Sequence, residues 1–137
     1  GATTVSGSVE LIELGAMEIE DRFPPESFDA IVSCLMLSEL SAEEQSYVLR
    51  TAHARLRPGG RLVVADEVRP HGAAARLWRA LRRAPQVALT YALTQTTTRA
   101  VDDLGALVRA AGFAVVEEVP MGAGLVLVDA CREGGAR

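Results

Sequence analysis

Three residues that could contact a ligand follow one another at the end of a predicted strand. The strand is predicted over Phe28–Cys34, because residues 30–32 form a short continuous apolar run, as in strands covered on both faces. Ser33, Cys34 and Leu35 come at its carboxyl end, where open α/β sheets bind ligands. Cys34 could instead be a small buried hydrophobe, and no nearby histidine favours a nucleophilic thiol. A ligand-facing role and simple burial both stay open for Cys34.

A capped helix should follow this strand. Ser41 and Glu44 form the capping-box pattern, in which each side chain accepts a hydrogen bond from the other residue's backbone N–H. Apolar residues then recur at helical spacing on one face: Val48, Leu49, Ala52 and Leu56. Just before the cap, Ser38 and Glu39 could face a substrate, although Glu39 could equally be a solvated loop acid.

Strand-like and helix-like segments alternate along the rest of the chain, which favours an α/β domain with a mostly parallel sheet. Further strands are predicted over residues 9–14, 62–65, 113–119 and 125–130. The last two are joined by the short turn 120–124, so we expect them to be antiparallel. A helix is predicted over about residues 101–111, with Thr98 as its cap and Gly112 at its end.

A second helical stretch precedes that helix and carries its charges on one side. Its apolar residues are Leu77, Trp78 and Leu81, and the opposite side carries Arg76, Arg79, Arg82 and Arg83. The basic side is either solvated or meets an acidic partner above a site. The polar run 94–99 either lines a substrate pocket or connects two helices.

Two runs of the sequence resemble class I S-adenosylmethionine-dependent methyltransferases. They are FDAIVSCLMLSEL, from Phe28 to Leu40, and LRPGGRLVVADE, from Leu56 to Glu67, with the capped helix between them. The family has this order and spacing, and Ala110-Ala111-Gly112-Phe113 is similar to the entry to its sixth strand. The resemblance implies one partial Rossmann-like sheet across residues 1–137, made of the family's strands 3 to 7. Residues 65–67 and 94–99 look most like the quinone-methylase-like or corrinoid-protein-associated branches.

The sequence also departs from this family in its first part. A complete member opens with a strand and a Gly-rich turn beside the methionine end of the cofactor, and a second strand ends in an acid that holds the ribose. Neither is present here, so the chain beginning at Gly1 is expected to be truncated or split. The strand predicted over residues 9–14 would then lack its usual neighbour, and would pair with the Phe28–Cys34 strand, exchange with a second chain, or fray.

The resemblance implies two groups of site residues. The cofactor S-adenosyl-L-methionine would contact Gly15, Ala16, Met17, Ser33, Cys34 and Leu35. The substrate would contact Ser38, Glu67 and His71. No catalytic residue and no metal site is assigned, because methyl transfer from a sulfonium often depends on positioning and desolvation. A general base at Asp66 or Glu67 is the minority interpretation.

Composition limits the kinds of partner that the chain is expected to bind. Fourteen basic residues, all arginine, against 18 acidic ones give a formal charge of -4, which gives no global attraction to nucleic acid. The apolar runs are too short for a membrane helix. Cys34 and Cys131 have no metal-ligand spacing, and a reducing cytoplasm is the simplest setting for them. The arginine-only usage is typical of a GC-rich bacterial genome.

Two functions from different classes follow from these observations. The first is S-adenosylmethionine-dependent methyl transfer to a small molecule, with this chain as the substrate-side part, either in a homodimer or with a missing N-terminal half. The second is a non-catalytic methyltransferase-like remnant that acts as an oligomeric binding module. A nicotinamide-dependent oxidoreductase ranks last, because it too needs a Gly-rich phosphate turn.

Overall fold

The computed structural model describes residues 7–68 and 101–134. The strands are β1 (Phe28–Cys34), β2 (Leu56–Glu67), β3 (Ala114–Gly122) and β4 (Leu125–Cys131). They form one sheet in the order β1-β2-β4-β3, in which β1 and β2 are parallel and β4 is antiparallel to both β2 and β3. The predicted partial Rossmann-like sheet with an antiparallel last pair is therefore confirmed.

The helices cover part of this sheet. A 3₁₀ turn (Ala16–Glu18), α1 (Ile19–Arg22), a second 3₁₀ turn (Leu37–Glu39), α2 (Ala42–Arg55) and α3 (Leu104–Ala110) make up the described helical elements. The capping box that begins α2 is confirmed, because the Ser41 hydroxyl accepts from the Glu44 N–H at 3.3 Å and the Glu44 carboxylate accepts from the Ser41 N–H at 2.8 Å. These hydrogen bonds lower the pKa of the exposed Glu44 carboxyl.

The two faces of the sheet differ in burial. Alternate residues of β2, Leu62, Val64 and Asp66, are buried on the same side as Val128 of β4, and this side carries the apolar core with α2 and α3. On the other side, Val32 of β1 is 73% exposed. Within the described residues, the sheet is thus covered well on one face only.

The strand predicted over residues 9–14 is wrong. Residues 7–15 have no regular secondary structure, and Val9 and Leu11 are 89% and 94% exposed. A strand is stable only when a neighbour accepts its backbone hydrogen bonds, and no described strand pairs with this segment. The segment does not pair with β1 either, which was one of the three expected outcomes. Four of the five expected strands therefore form in the described residues.

The carboxyl-terminal elements agree with the sequence prediction except at the cap of α3 and at the β3–β4 turn. Helix α3 begins after Asp103, whose carboxylate accepts from the Ala106 N–H at 2.8 Å, so the expectation of a cap at Thr98 is wrong. Gly112 follows the helix with a φ of 99°, as expected of a glycine at this position. The β3–β4 turn is shorter than predicted, because only Ala123 and Gly124 separate the strands, both at positive φ.

Several predicted features lie outside the described residues. They are the arginine-bearing helical stretch, the polar run 94–99, Thr98 and His71. Among the helices that are described, none has the length and apolar character to span a membrane.

Candidate active site

Three connections meet at the carboxyl edge of the sheet. Cys34 at the end of β1 pairs with Ala65 near the end of β2, so the residues that follow these parallel strands lie at the same edge. The β3–β4 turn reaches this edge too, because the Val68 N–H donates to the Gly124 carbonyl at 2.8 Å. This is the edge at which open α/β sheets bind ligands.

The predicted ligand-facing residues of β1 end the strand at this edge. The hydroxyl of Ser33 is buried and has no hydrogen-bond partner in the described part of the chain. Cys34 is exposed, so its alternative interpretation as a small buried hydrophobe is wrong. Leu35 is half exposed, has a φ of 53°, and donates its N–H to the Ala65 carbonyl at 2.8 Å. Such a φ is strained for a leucine, so the surrounding structure must hold it.

The segment of residues 35–40, here called the 35–40 loop, is held from two sides. The carboxylate of Asp66 accepts from the Leu37 N–H at 2.7 Å and from the Ser38 N–H at 3.3 Å. The side-chain amide of Gln45 on α2 donates to the carbonyls of Leu37 at 2.8 Å and Leu40 at 3.1 Å. The loop therefore has side-chain partners for both its N–H and its C=O groups.

Two of the three predicted substrate-binding residues, Ser38 and Glu67, lie close together. Ser38 is 3% exposed, while Glu67 is half-buried. The Glu67 N–H donates to the Asp66 carboxylate at 2.8 Å, so both residues are joined through Asp66. His71 lies outside the described residues. Contact of these three residues with a substrate stays a prediction.

The turn at residues 15–17, which is predicted to contact the cofactor, is held separately from the end of β1. Residues Gly15 to Met17 lead into the 3₁₀ turn, and the Gly15 N–H donates to the Glu18 carboxylate at 2.9 Å. No residue of this 3₁₀ turn, Ala16 included, is buried, and Met17 is 39% exposed. No described hydrogen bond joins this turn to Ser33, Cys34 or Leu35. Cofactor contact by Gly15, Ala16 and Met17 stays a prediction.

The following helix, α1, is attached to α2. Arg55 donates to the Glu20 carbonyl at 3.3 Å, and a hydrogen bond from the Tyr47 hydroxyl to the Glu20 carboxylate raises the pKa of that phenol. These contacts fix the chain that leads from the 15–18 turn toward β1. They leave the exposed side of β1 uncovered.

Sequence reasoning missed the part played by Gln45. Its signal was available, because Gln45 is a polar residue at helical spacing from Val48, Leu49 and Ala52 on the apolar side of α2. A glutamine in such a position must find hydrogen-bond partners. Which carbonyls it meets depends on the path of the 35–40 loop.

Comparisons with known proteins agree with this architecture. Residues 2–64 match the model of a methyltransferase domain family. A search of curated proteins gives no match. Residues 2–64 are thus similar to a methyltransferase domain, and the sheet matches a partial Rossmann-like methyltransferase fold.

Solved structures share the fold at low sequence identity. An O-methyltransferase family protein from Burkholderia thailandensis is 22% identical with a TM-score of 0.66, over 93% of this chain and 36% of that one. A SAM-dependent methyltransferase from Methanosarcina mazei is 16% identical with a TM-score of 0.65, over 96% and 70%. The [4+2]-cyclase SpnF is 18% identical with a TM-score of 0.65, over 89% and 55%. This chain thus spans about a third to a half of the Burkholderia protein and the cyclase, and 70% of the Methanosarcina protein.

Proposed function

We propose that this chain takes part in the transfer of a methyl group from S-adenosylmethionine to a small molecule, as the substrate-side part of a class I methyltransferase. The observation that carries the proposal is the carboxyl edge of β1 and β2, where the strand ends and the 35–40 loop meet. The family match over residues 2–64 supports it, because it includes β1, α2 and most of β2.

The residues at this edge fit part of such a cofactor. The buried Ser33 hydroxyl has no protein partner in the described residues, and the next two residues, Cys34 and Leu35, are exposed. A hydroxyl without a partner and an exposed apolar side chain at one strand end suit the methionine end of the cofactor. We propose Ser33, Cys34 and Leu35 as its contacts in this chain, with Gly15, Ala16 and Met17 toward the adenine.

The bound cofactor would supply the methyl group from its sulfonium. The chain's own residues would bind and orient the acceptor and keep water from the edge. Positioning and desolvation of this kind are the main ways in which a protein accelerates methyl transfer. We propose Ser38, Glu67 and His71 on the substrate side. The free thiols of Cys34 and Cys131 support a reducing, cytoplasmic setting.

The cofactor site needs a second contribution, because the sequence carries no Gly-rich turn after a strand. In the described residues β1 pairs with β2 alone, which leaves its other edge able to accept a strand. We propose that this contribution comes from a segment with a strand and a Gly-rich turn, or from a second copy of the chain. The whole protein's activity depends on which of these applies.

A non-catalytic oligomeric binding module is the second candidate. The exposed apolar residues Val9 and Leu11 and the free edge of β1 favour it, because both are surfaces on which a protein partner can pack. The cyclase SpnF also shows that the fold by itself does not fix the reaction.

Titration of S-adenosylmethionine and S-adenosylhomocysteine into the purified chain, with its mass in solution measured on the same sample, separates the two candidates. Saturable binding supports the methyltransferase function, and a dimeric mass at saturation points to a site completed by a second copy. NAD⁺ is the control ligand, since an oxidoreductase would bind it instead. A folded chain that binds no ligand at millimolar concentration contradicts the cofactor assignment to this chain and favours the module.

A pair of matched variants tests the location of the site. Cys34→Tyr places a bulky side chain at the exposed end of β1 and should weaken S-adenosylhomocysteine binding at least about tenfold by occluding the edge. Val116→Tyr makes the same kind of addition at an exposed position of β3 and should leave binding unchanged. Equal affinity in both variants would place the ligand elsewhere.

A further inference from the structure

Asp66 is the most enclosed charged residue among those described. Asp66 is 0% exposed, although it is the second-last residue of β2, at the edge where ligands are expected. The carboxylate accepts three backbone N–H groups, from Leu37 at 2.7 Å, from Ser38 at 3.3 Å and from Glu67 at 2.8 Å. A buried carboxylate is stable only with such partners, and among the described residues they are backbone groups of the 35–40 loop and of the last residue of β2.

These bonds satisfy groups that would otherwise lack partners. The first N–H groups of a short helical turn have no acceptor within the turn, and Leu37 and Ser38 begin the 3₁₀ turn Leu37–Glu39. Since the Leu37 carbonyl is bound by Gln45 at 2.8 Å, both backbone groups of Leu37 are fixed by side chains from other elements. The Leu37 side chain is itself fully buried in the core.

The same bonds oppose the strain at Leu35. A leucine at a φ of 53° prefers to leave the left-handed region, and it stays there only when its neighbours are held. Leu35 is tied to β2 through the Ala65 carbonyl, and two residues later Asp66 ties Leu37 to the same strand. β2 therefore holds the backbone of the loop at both points.

We infer that Asp66 is a positioning residue that holds the 35–40 loop in the shape needed for ligand binding. This inference rests on the proposed function of the same edge. It replaces the interpretation of Asp66 as a general base, because the carboxylate is enclosed and its oxygens are committed to backbone donors. Gln45 acts on the same loop from α2.

Amide hydrogen exchange measures the positioning directly. In the wild-type chain the Leu37 and Ser38 amides should be protected, since Asp66 is their acceptor. Asp66→Asn replaces one oxygen with a donor and should speed exchange at both amides by about tenfold or more, while the β2–β4 amides keep their rates. Asp129→Asn is the matched control, because it changes a carboxylate of the same sheet that pairs with Arg61 far from the loop.

Binding is then followed by titrating S-adenosylhomocysteine and recording amide chemical shifts, which detects weak affinity. Asp66→Asn should weaken binding at least about tenfold relative to both the wild type and Asp129→Asn. Unprotected Leu37 and Ser38 amides in the wild type, or wild-type affinity in an Asp66→Asn chain with a loosened loop, would overturn the inference. The wild-type exchange measurement decides even if Asp66→Asn does not fold.

Failure of the proposed function has a different signature. If the wild type binds no S-adenosylhomocysteine while its loop amides are protected and Asp66→Asn exposes them, the cofactor assignment falls and the positioning of the loop by Asp66 stands. Gln45→Leu adds a second check, because it removes the side-chain hydrogen bonds to the Leu37 and Leu40 carbonyls without changing Asp66. It should loosen the same loop by a smaller factor.

Discussion

The two ends of the sheet are held together in different ways. At the carboxyl end, one fully buried carboxylate, that of Asp66, joins the connection that follows β1 to the end of β2. At the amino end, Arg57 pairs with Asp29 at 2.7 Å and Arg132 pairs with Glu26 at 3.4 Å, and most of these side chains are well exposed. Buried charge-assisted hydrogen bonds fix one geometry, whereas exposed ion pairs in water contribute little. The chain therefore places its rigid polar contacts where a ligand is expected.

The largest effect should come from removing the carboxylate at the carboxyl end. Asp66→Ala leaves three backbone N–H groups without their acceptor and should lower the free energy of unfolding by about 3 kcal/mol or more. Urea denaturation followed by circular dichroism measures this. A loss below about 1 kcal/mol would mean that water replaces the carboxylate at little cost, and the contrast between the two ends would disappear.

A smaller loss is expected for the second support of the loop. Gln45→Leu keeps the side-chain volume on the apolar side of α2 but removes the side-chain donor to two carbonyls. The Leu40 carbonyl loses this partner, and the Leu37 carbonyl keeps the Leu40 N–H at 3.0 Å. We expect a loss of about 1–2 kcal/mol in the same urea experiment. Ser46→Ala on the exposed side of α2 is the control and should change stability much less. Equal losses would show that the loop does not depend on Gln45.

The amino end should tolerate the loss of an ion pair. Arg57→Ala removes the contact with Asp29, whose side chain is 83% exposed, and should cost about 0–1 kcal/mol. The stability lost on Arg57→Ala should be smaller in high salt, because screening already weakens the ion pair in the wild type. A loss as large as that of Asp66→Ala would refute the distinction between the ends.

The smallest expected effect is a change in the pH dependence of stability, and it involves His53 near the amino end of the sheet. Burial, together with the positive charge of Arg132, lowers the pKa of His53, which packs edge-on against Phe113 with ring centroids 4.9 Å apart. The unfolded chain then binds a proton more readily than the folded one, so this contribution is complete above the ordinary histidine pKa and is lost as the pH falls below it. Melting temperatures between pH 8 and pH 5 should therefore decline less in His53→Gln than in the wild type. Arg57→Ala, which leaves His53 in place, should keep the wild-type slope.

Much of the fold could be predicted from local patterns. The strand β1, the Ser41 capping box, Gly112 after α3 and the antiparallel last pair each depend on neighbours within a few residues, and each is confirmed. The expectation that β1 is covered on both faces is not met in the described residues, because Val32 is 73% exposed. The prediction of a strand over residues 9–14 was wrong although the segment has a strand-like apolar pattern, because no strand of the described sheet pairs with it. The cap at Thr98 was displaced by Asp103, which local sequence also permits.

Sequence alone determined the elements, the methyltransferase resemblance and the stretch of chain after β1 in which ligand contacts are expected. Only the tertiary structure decided that Asp66 faces inward rather than toward a substrate, that Cys34 is exposed, and that Gln45 meets the 35–40 loop. The physical reason is the range of the interactions. Capping and periodicity are set by residues three or four apart, whereas the Asp66 hydrogen bond to Leu37 joins residues 29 positions apart and exists only once β1 and β2 have paired.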